Sequence, residues 1–267
     1  MDAIRVWLIK VEIEGGNMKY INFGNREGKK LVILPGLSLK SVMGSAELIE
    51  ASYAIFKDEY DVYLFDHIEV EPEGYTIRDM AEDTYEAINK LGLEDINLMG
   101  VSMGGMVSLE LSINHPEMVN SLLLCSTTSR FDNKELFDTW KKYAEDKNDV
   151  AIMESFGENV YSPAVYEQNK DAIIESGKDA NDQDFRNFII SIDAIENFDV
   201  YDELNKIKCP VLILGADEDK VISVQDSIDM AEKLNCEYYI YKGYGHGVFH
   251  EAPDYRSRTK EFIDRYN

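Results

Sequence analysis

The stretch Gly100-Val101-Ser102-Met103-Gly104 decides the fold. It lies between the apolar run 96–101 and a segment of helical periodicity over 103–114. A serine at the apex of a sharp strand-to-helix turn leaves no room for side chains two residues before and after it, so both places require glycine. The turn lifts the hydroxyl above the strand end, and the N-terminus of the following helix favours negative charge developing there. A glycine-rich turn around an inert buried serine is the plain alternative. The strand before and the helix after are what the nucleophile reading demands.

A hydroxyl is a poor nucleophile until a base takes its proton, and the base needs a carboxylate to hold its tautomer. Four histidines are available. His67 follows an early apolar run and either lines a pocket or caps a loop. His115 precedes Pro116 and suits a helix C-terminus. His246, between Gly245 and Gly247 just after the last apolar run, is the candidate base, with His250 as its alternative. The order serine, acid, histidine places the acid after the run 210–214. There Asp219, just before Val221-Ile222 and the next helix start, is the candidate, and Asp217 the alternative. An oxyanion hole needs two backbone donors, and the amides of Met103 and of Leu37, in Pro35-Gly36-Leu37-Ser38, are expected to supply them.

Working outward, apolar runs at 30–34, 60–65, 96–101, 119–125, 210–214 and 237–241 alternate with helical patterns at 45–57, 76–91, 103–114, 224–234 and 255–266. Such alternation predicts an α/β fold, a mostly parallel sheet with helices on both faces. The run 60–65 is expected to stop at Asp66-His67, leaving those residues in a loop. Two strand-like runs, 4–14 and 19–23, flank the turn Gly15-Gly16-Asn17 and read as a hairpin. Its first 17 residues are either a separable arm or an integral strand. From 129 to 205 the alternation fails and helical patterns take over, which predicts a lid of formal charge −11 inserted between the sixth and seventh strands. The division expected is core at 1–128, lid at 129–205 and core again at 206–267.

The chain of 267 residues carries a net charge of −24. That repels phosphate backbones and disfavours nucleic acid as a partner. No apolar run is long enough to span a bilayer. Cys125, Cys209 and Cys236 show no metal-ligand spacing, and an odd number of thiols suits a reducing, cytoplasmic setting. There is no P-loop lysine, dinucleotide fingerprint or histidine cluster, so neither cofactor nor metal is expected.

These residues in this order resemble the α/β-hydrolase superfamily. Gly100-Val101-Ser102-Met103-Gly104-Gly105, His115-Pro116-Glu117 and the acid and histidine loops are similar to those of its small esterases and lactonases. The resemblance implies an eight-stranded sheet with a helical lid, and a triad of Ser102, Asp219 and His246. Two features depart from the pattern: Pro35-Gly36 stands where many relatives have His-Gly, and Asp66-His67-Ile68-Glu69 where they have Arg-Gly-x-Gly. The activity expected is acyl-enzyme hydrolysis of small to medium uncharged esters, thioesters or lactones. Carbon–carbon cleavage, lyase or perhydrolase chemistry on the same triad, or a non-catalytic sensor, are the rivals. Phe131, Trp140, Tyr143, Phe156, Tyr161, Phe188 and Ile189 either line an apolar acyl site or form the lid's own core.

Overall fold

The structure, a computed structural model, describes residues 8–266. Its eight strands are β1 (Ile9–Ile13), β2 (Gly16–Gly24), β3 (Lys29–Leu34), β4 (Tyr60–Ile68), β5 (Ile96–Val101), β6 (Val119–Cys125), β7 (Val211–Ala216) and β8 (Glu237–Tyr241). They form one sheet in the order β1-β2-β4-β3-β5-β6-β7-β8. β1 and β2 pair antiparallel, β2 meets β4 antiparallel, and every pairing from β4 to β8 is parallel. The parallel strands therefore present all their C-terminal ends on one side, where an open α/β sheet binds its ligands.

Among the described residues the α-helices are α1 (Ala46–Ser52), α2 (Ile77–Lys90), α3 (Met103–Asn114), α4 (Lys134–Glu145), α5 (Asp149–Val160), α6 (Pro163–Gly177), α7 (Asp182–Glu196), α8 (Val224–Leu234), α9 (Val248–Glu251) and α10 (Tyr255–Asp264). Strand alternation sorts the core into two layers. Val32, Leu34, Leu98, Leu122 and Ile213 face the side covered by α2, α3 and α8. Leu31, Ile33, Met99, Leu123 and Leu212 face the side covered by α1 and α10. The capping box of Thr76 and Asp79 starts α2, as its sequence predicts.

Two expectations change, and the open question of the first hairpin gains evidence. The helix predicted over 45–57 is α1 followed by a separate 3-10 turn at Ala54–Phe56, because Phe56 turns inward against Tyr60 and Tyr53. β4 runs on to Ile68, so Asp66 and His67 belong to a strand: the antiparallel ladder with β2 continues past Phe65, with Met18 opposite Ile68. The first hairpin is tied in, since Val11 and Ile13 are buried and Lys90 Nζ donates to the Glu12 carbonyl at 2.7 Å. Ile4 to Trp7 of the predicted first strand lie outside the described residues.

Four helices, α4 to α7, occupy the chain between β6 and β7. Their interior is a chain of rings from Phe131 through Phe137, Trp140 and Phe156 to Phe188. Trp140 and Phe188 are almost fully buried, and Trp140 Nε1 donates to Ser155 Oγ at 2.9 Å. These aromatics are occupied in holding the insert together. A buried indole N–H needs such a partner.

Candidate active site

Ser102 follows β5 directly and has φ 52° and ψ −122°, a region L-residues avoid and occupy only where packing imposes it. The flanking glycines show the cause. A Cβ on Gly104 would lie 2.2 Å from the Leu34 carbonyl oxygen, and one on Gly100 would lie 2.4 Å from the Gly104 carbonyl oxygen. Any larger residue would drive α3 off the sheet. The Ser102 amide continues the ladder by donating to Cys125 O at 2.9 Å, while Thr127 Oγ1 donates to the Ser102 carbonyl at 2.7 Å.

His246 arrives from the far edge of the sheet, on the loop after β8. Ser126 Oγ donates to its carbonyl at 2.8 Å, so Ser102 and His246 are held by the adjacent residues Cys125 and Ser126. Gly247 N donates to Val160 O at the end of α5, at 2.6 Å, and a Cβ on Gly247 would lie 3.0 Å from that same oxygen. The glycine beside His246 thus lets the insert pass close to the histidine loop. The ring is buried, with Nδ1 2.8 Å from Asp219 Oδ2 and 3.1 Å from Oδ1.

Asp219 follows β7. Its Oδ1 also accepts the amides of Val221 and Ile222 at 2.8 and 2.9 Å, which fixes the carboxylate in one orientation. Asp217 is used elsewhere: its Oδ1 accepts the Gly243 amide at 2.7 Å and closes the turn after β8. His250 packs against Phe249 and Tyr161. Burial, with Arg256 adding, pushes its imidazole down to about 4, so it is neutral. His115 caps α3, stacks on Tyr85 at 3.5 Å and meets Glu82 at 3.0 Å.

Gly36 brings the loop after β3 against the serine, a Cβ there lying 3.1 Å from Ser102 Cβ. Among the described residues, the amides of Leu37 and Met103 bond to no other protein group. Two free donors beside a serine are what an oxyanion hole requires. The structure thus brings Ser102, Leu37, Met103, His246 and Asp219 to one end of the sheet. It forms no hydrogen bond between Ser102 and His246 among the described residues. The sequence reading missed Ser126 and Thr127, although a polar run, Ser126-Thr127-Thr128-Ser129, at the end of an apolar strand and buried throughout, was the signal.

The profile of a family described as alpha/beta hydrolase fold matches residues 30–253, and the chain belongs to that family. A protein of Caulobacter sp. (strain K31), provisionally named carbamate hydrolase RutD, is 28% identical over 188 residues, which covers 68% of this chain and 70% of that one. A 3-oxoadipate enol-lactonase of Acinetobacter baylyi is 21% identical over 229 residues, covering 84% and 82% of the two chains. Among solved structures, an alpha/beta hydrolase enzyme from a Medee basin deep-sea metagenome library superposes with a TM-score of 0.84 at 20% identity, covering 96% of this chain and 97% of that one. The enol-lactonase from Burkholderia xenovorans LB400 gives 0.82 at 20% identity, covering 96% and 98%. At that identity the structures establish the shared fold. The named relatives establish a hydrolase as the class.

Proposed function

We propose that the chain hydrolyses small to medium carboxylic esters, or the related thioesters, lactones and carbamates, through an acyl-enzyme on Ser102. The observation that carries this reading is the Asp219–His246 pair, fixed by two amides and delivered to the strand end where Ser102 occupies its strained turn. His246 Nε2 takes the hydroxyl proton as Ser102 Oγ attacks the carbonyl. The amides of Leu37 and Met103 receive the negative oxygen of the tetrahedral intermediate. The imidazolium, steadied by Asp219, then gives its proton to the leaving group. Water attacks the acyl-enzyme by the same route in reverse, returning Ser102 to its hydroxyl form.

The insert of α4 to α7 acts as the lid in this scheme. It is bonded to both triad loops, through Asn133 Nδ2 to the carbonyls of Lys220 and Val221 and through Val160 to Gly247. Its acidic composition, on a chain of net charge −24, disfavours anionic substrates. The relatives' names, hydrolase and lactonase, support the reaction class. A panel of p-nitrophenyl esters, thioesters, lactones and carbamates tests it, with Ser102→Ala as the blank. Turnover of at least one class that vanishes in the blank is the expected result, and turnover that survives in the blank counts against the proposal.

A further inference from the structure

Asp66 and His67, the departure already noted in the sequence, sit where the sheet is irregular. In the pairing of β2 with β4, Met18 faces Ile68 and Tyr20 faces Phe65, so Lys19 alone stands opposite both residues. That is a β-bulge, a device that re-aims side chains beside active sites. The bulge adjoins a cavity of about 210 Å³. Ser38 and Met103 line it from the oxyanion side, Asp66 and His67 from the bulge, Glu71 from the next loop and Ser191 from α7.

Two buried acids, Asp66 and Glu71, and His67 share this wall with Lys19, Lys40, Asn181, Gln183 and Asn187. Asp66 takes the hydroxyl of Ser41 and the amide of His67. Glu71, only 2% exposed, takes the Ser191 hydroxyl at 3.0 and 3.1 Å. Among the described residues, no lysine or arginine forms an ion pair with either acid: the nearby Lys19 is held by Glu69 at 3.1 Å, and Lys40 by the Lys178 carbonyl at 2.9 Å. Burial, with the charge of Asp66 adding and the Ser191 hydroxyl opposing, pushes the Glu71 carboxyl up to about 8. His67 Nε2 is buried with no partner. Burial lowers the His67 pKa below its usual value, against Asp66 and a hydrogen bond to the Gly36 backbone. In the neutral tautomer that carries its proton on Nδ1, Nε2 offers a lone pair.

Buried acids without a cation to pair with are costly to leave unmatched. A group that brings N–H donors and positive charge would pair with Asp66 and draw Glu71 into its charged form. We infer that this cavity is the subsite for an amino or ammonium group of the substrate, read by Asp66, Glu71 and His67 Nε2. The inference rests on Ser102 being the nucleophile, and it narrows the substrate class from esters without negative charge to small acyl compounds that carry an amine. Met103, whose amide is one of the two oxyanion donors in that reading, lines the same cavity, and the inference places the bound amine and the reacting carbonyl on one small molecule.

The test compares the p-nitrophenyl ester of β-alanine with that of butyrate, in which a methyl group replaces the ammonium. The wild-type protein is expected to favour the amino ester about tenfold or more in kcat/KM, the scale of a charge-assisted hydrogen bond. Asp66→Asn and Glu71→Gln should each reduce that ratio about tenfold, chiefly through KM. A wild-type ratio of one or less, or a ratio unmoved in both variants, overturns the subsite. Turnover of neither ester would instead sink the nucleophile reading, and the subsite is then decided by binding alone. With ring-¹⁵N-labelled histidine, propylammonium should move the His67 Nε2 resonance upfield and saturably, and propionate should not. No response to propylammonium, or an equal response to propionate, overturns it.

Discussion

Two histidines stand beside acids on opposite sides of Ser102, and their surroundings are opposite in kind. On the β7–β8 side, Asp219 is matched by two amides and by His246, and His246 is tied through its carbonyl to Ser126. On the β4 side, Asp66 and Glu71 lack a basic partner among the described residues and His67 Nε2 lacks any. The acid and the histidine of the first arrangement are matched without a ligand, as preorganised catalysis would require, because reorganising them during the reaction would raise the barrier. The second is complete only when something enters.

The sharpest way to break that contrast is to spoil the matched side. Asp219→Asn preserves shape but favours the wrong imidazole tautomer, and kcat should fall by as much as about 10⁴-fold. Asp217→Asn should cost little activity, since its carboxylate only closes the turn at Gly243. Steady-state kinetics on the best ester of the panel separates the two, and a crippled Asp217→Asn beside a healthy Asp219→Asn would move the acid to the other position.

A second contrast lies within the sheet. A chain beginning at Met18 loses β1 and with it the burial of Val11 and Ile13, together with the bonds from Lys90 to Glu12 and from Lys10 to Glu69. Two buried aliphatic side chains and an edge strand amount to about 3–6 kcal/mol. Urea denaturation should show that loss, or no soluble protein at all; an unchanged midpoint would make the first hairpin a separable arm after all.

The unmatched side has its own signature in stability. In the folded chain Glu71 keeps its proton up to about pH 8, whereas its unperturbed value is 4.5. The folded state therefore holds an extra proton between those values, and stability falls as pH rises through that window, with the whole cost present above it. Glu71→Gln removes the cost, on the order of a few kcal/mol. Thermal melting from pH 5 to pH 9 should show the wild-type protein losing more stability than the variant, and parallel curves would mean that Glu71 ionises freely.

Much of the matched side was legible in the chain because its constraints are local. Gly100 is dictated by a clash with the Gly104 carbonyl four residues on, and Asp219 is fixed by the amides of Val221 and Ile222, two and three positions away. The unmatched side was not, because its constraints are distant. Glu71 meets Ser191 across 120 residues, and nothing near either residue announces the contact. The bulge at Asp66 and His67 depends on where β2 pairs, so a strand read from its own apolar pattern ended three residues early. The ring-bearing side chains of the insert were ambiguous for a related reason: a helical stripe does not say whether it faces a pocket or its neighbours, and Trp140 and Phe188 face their neighbours.

The central claim is that Ser102 is the nucleophile, activated by the His246–Asp219 pair. Treatment with a fluorophosphonate probe followed by peptide mass spectrometry tests it most directly. A single adduct on Ser102 is the result expected, lost in Ser102→Ala, with kcat down about 10⁶-fold, and strongly slowed in His246→Ala. An adduct on another residue, or labelling of Ser102→Ala at the wild-type rate, would contradict the account.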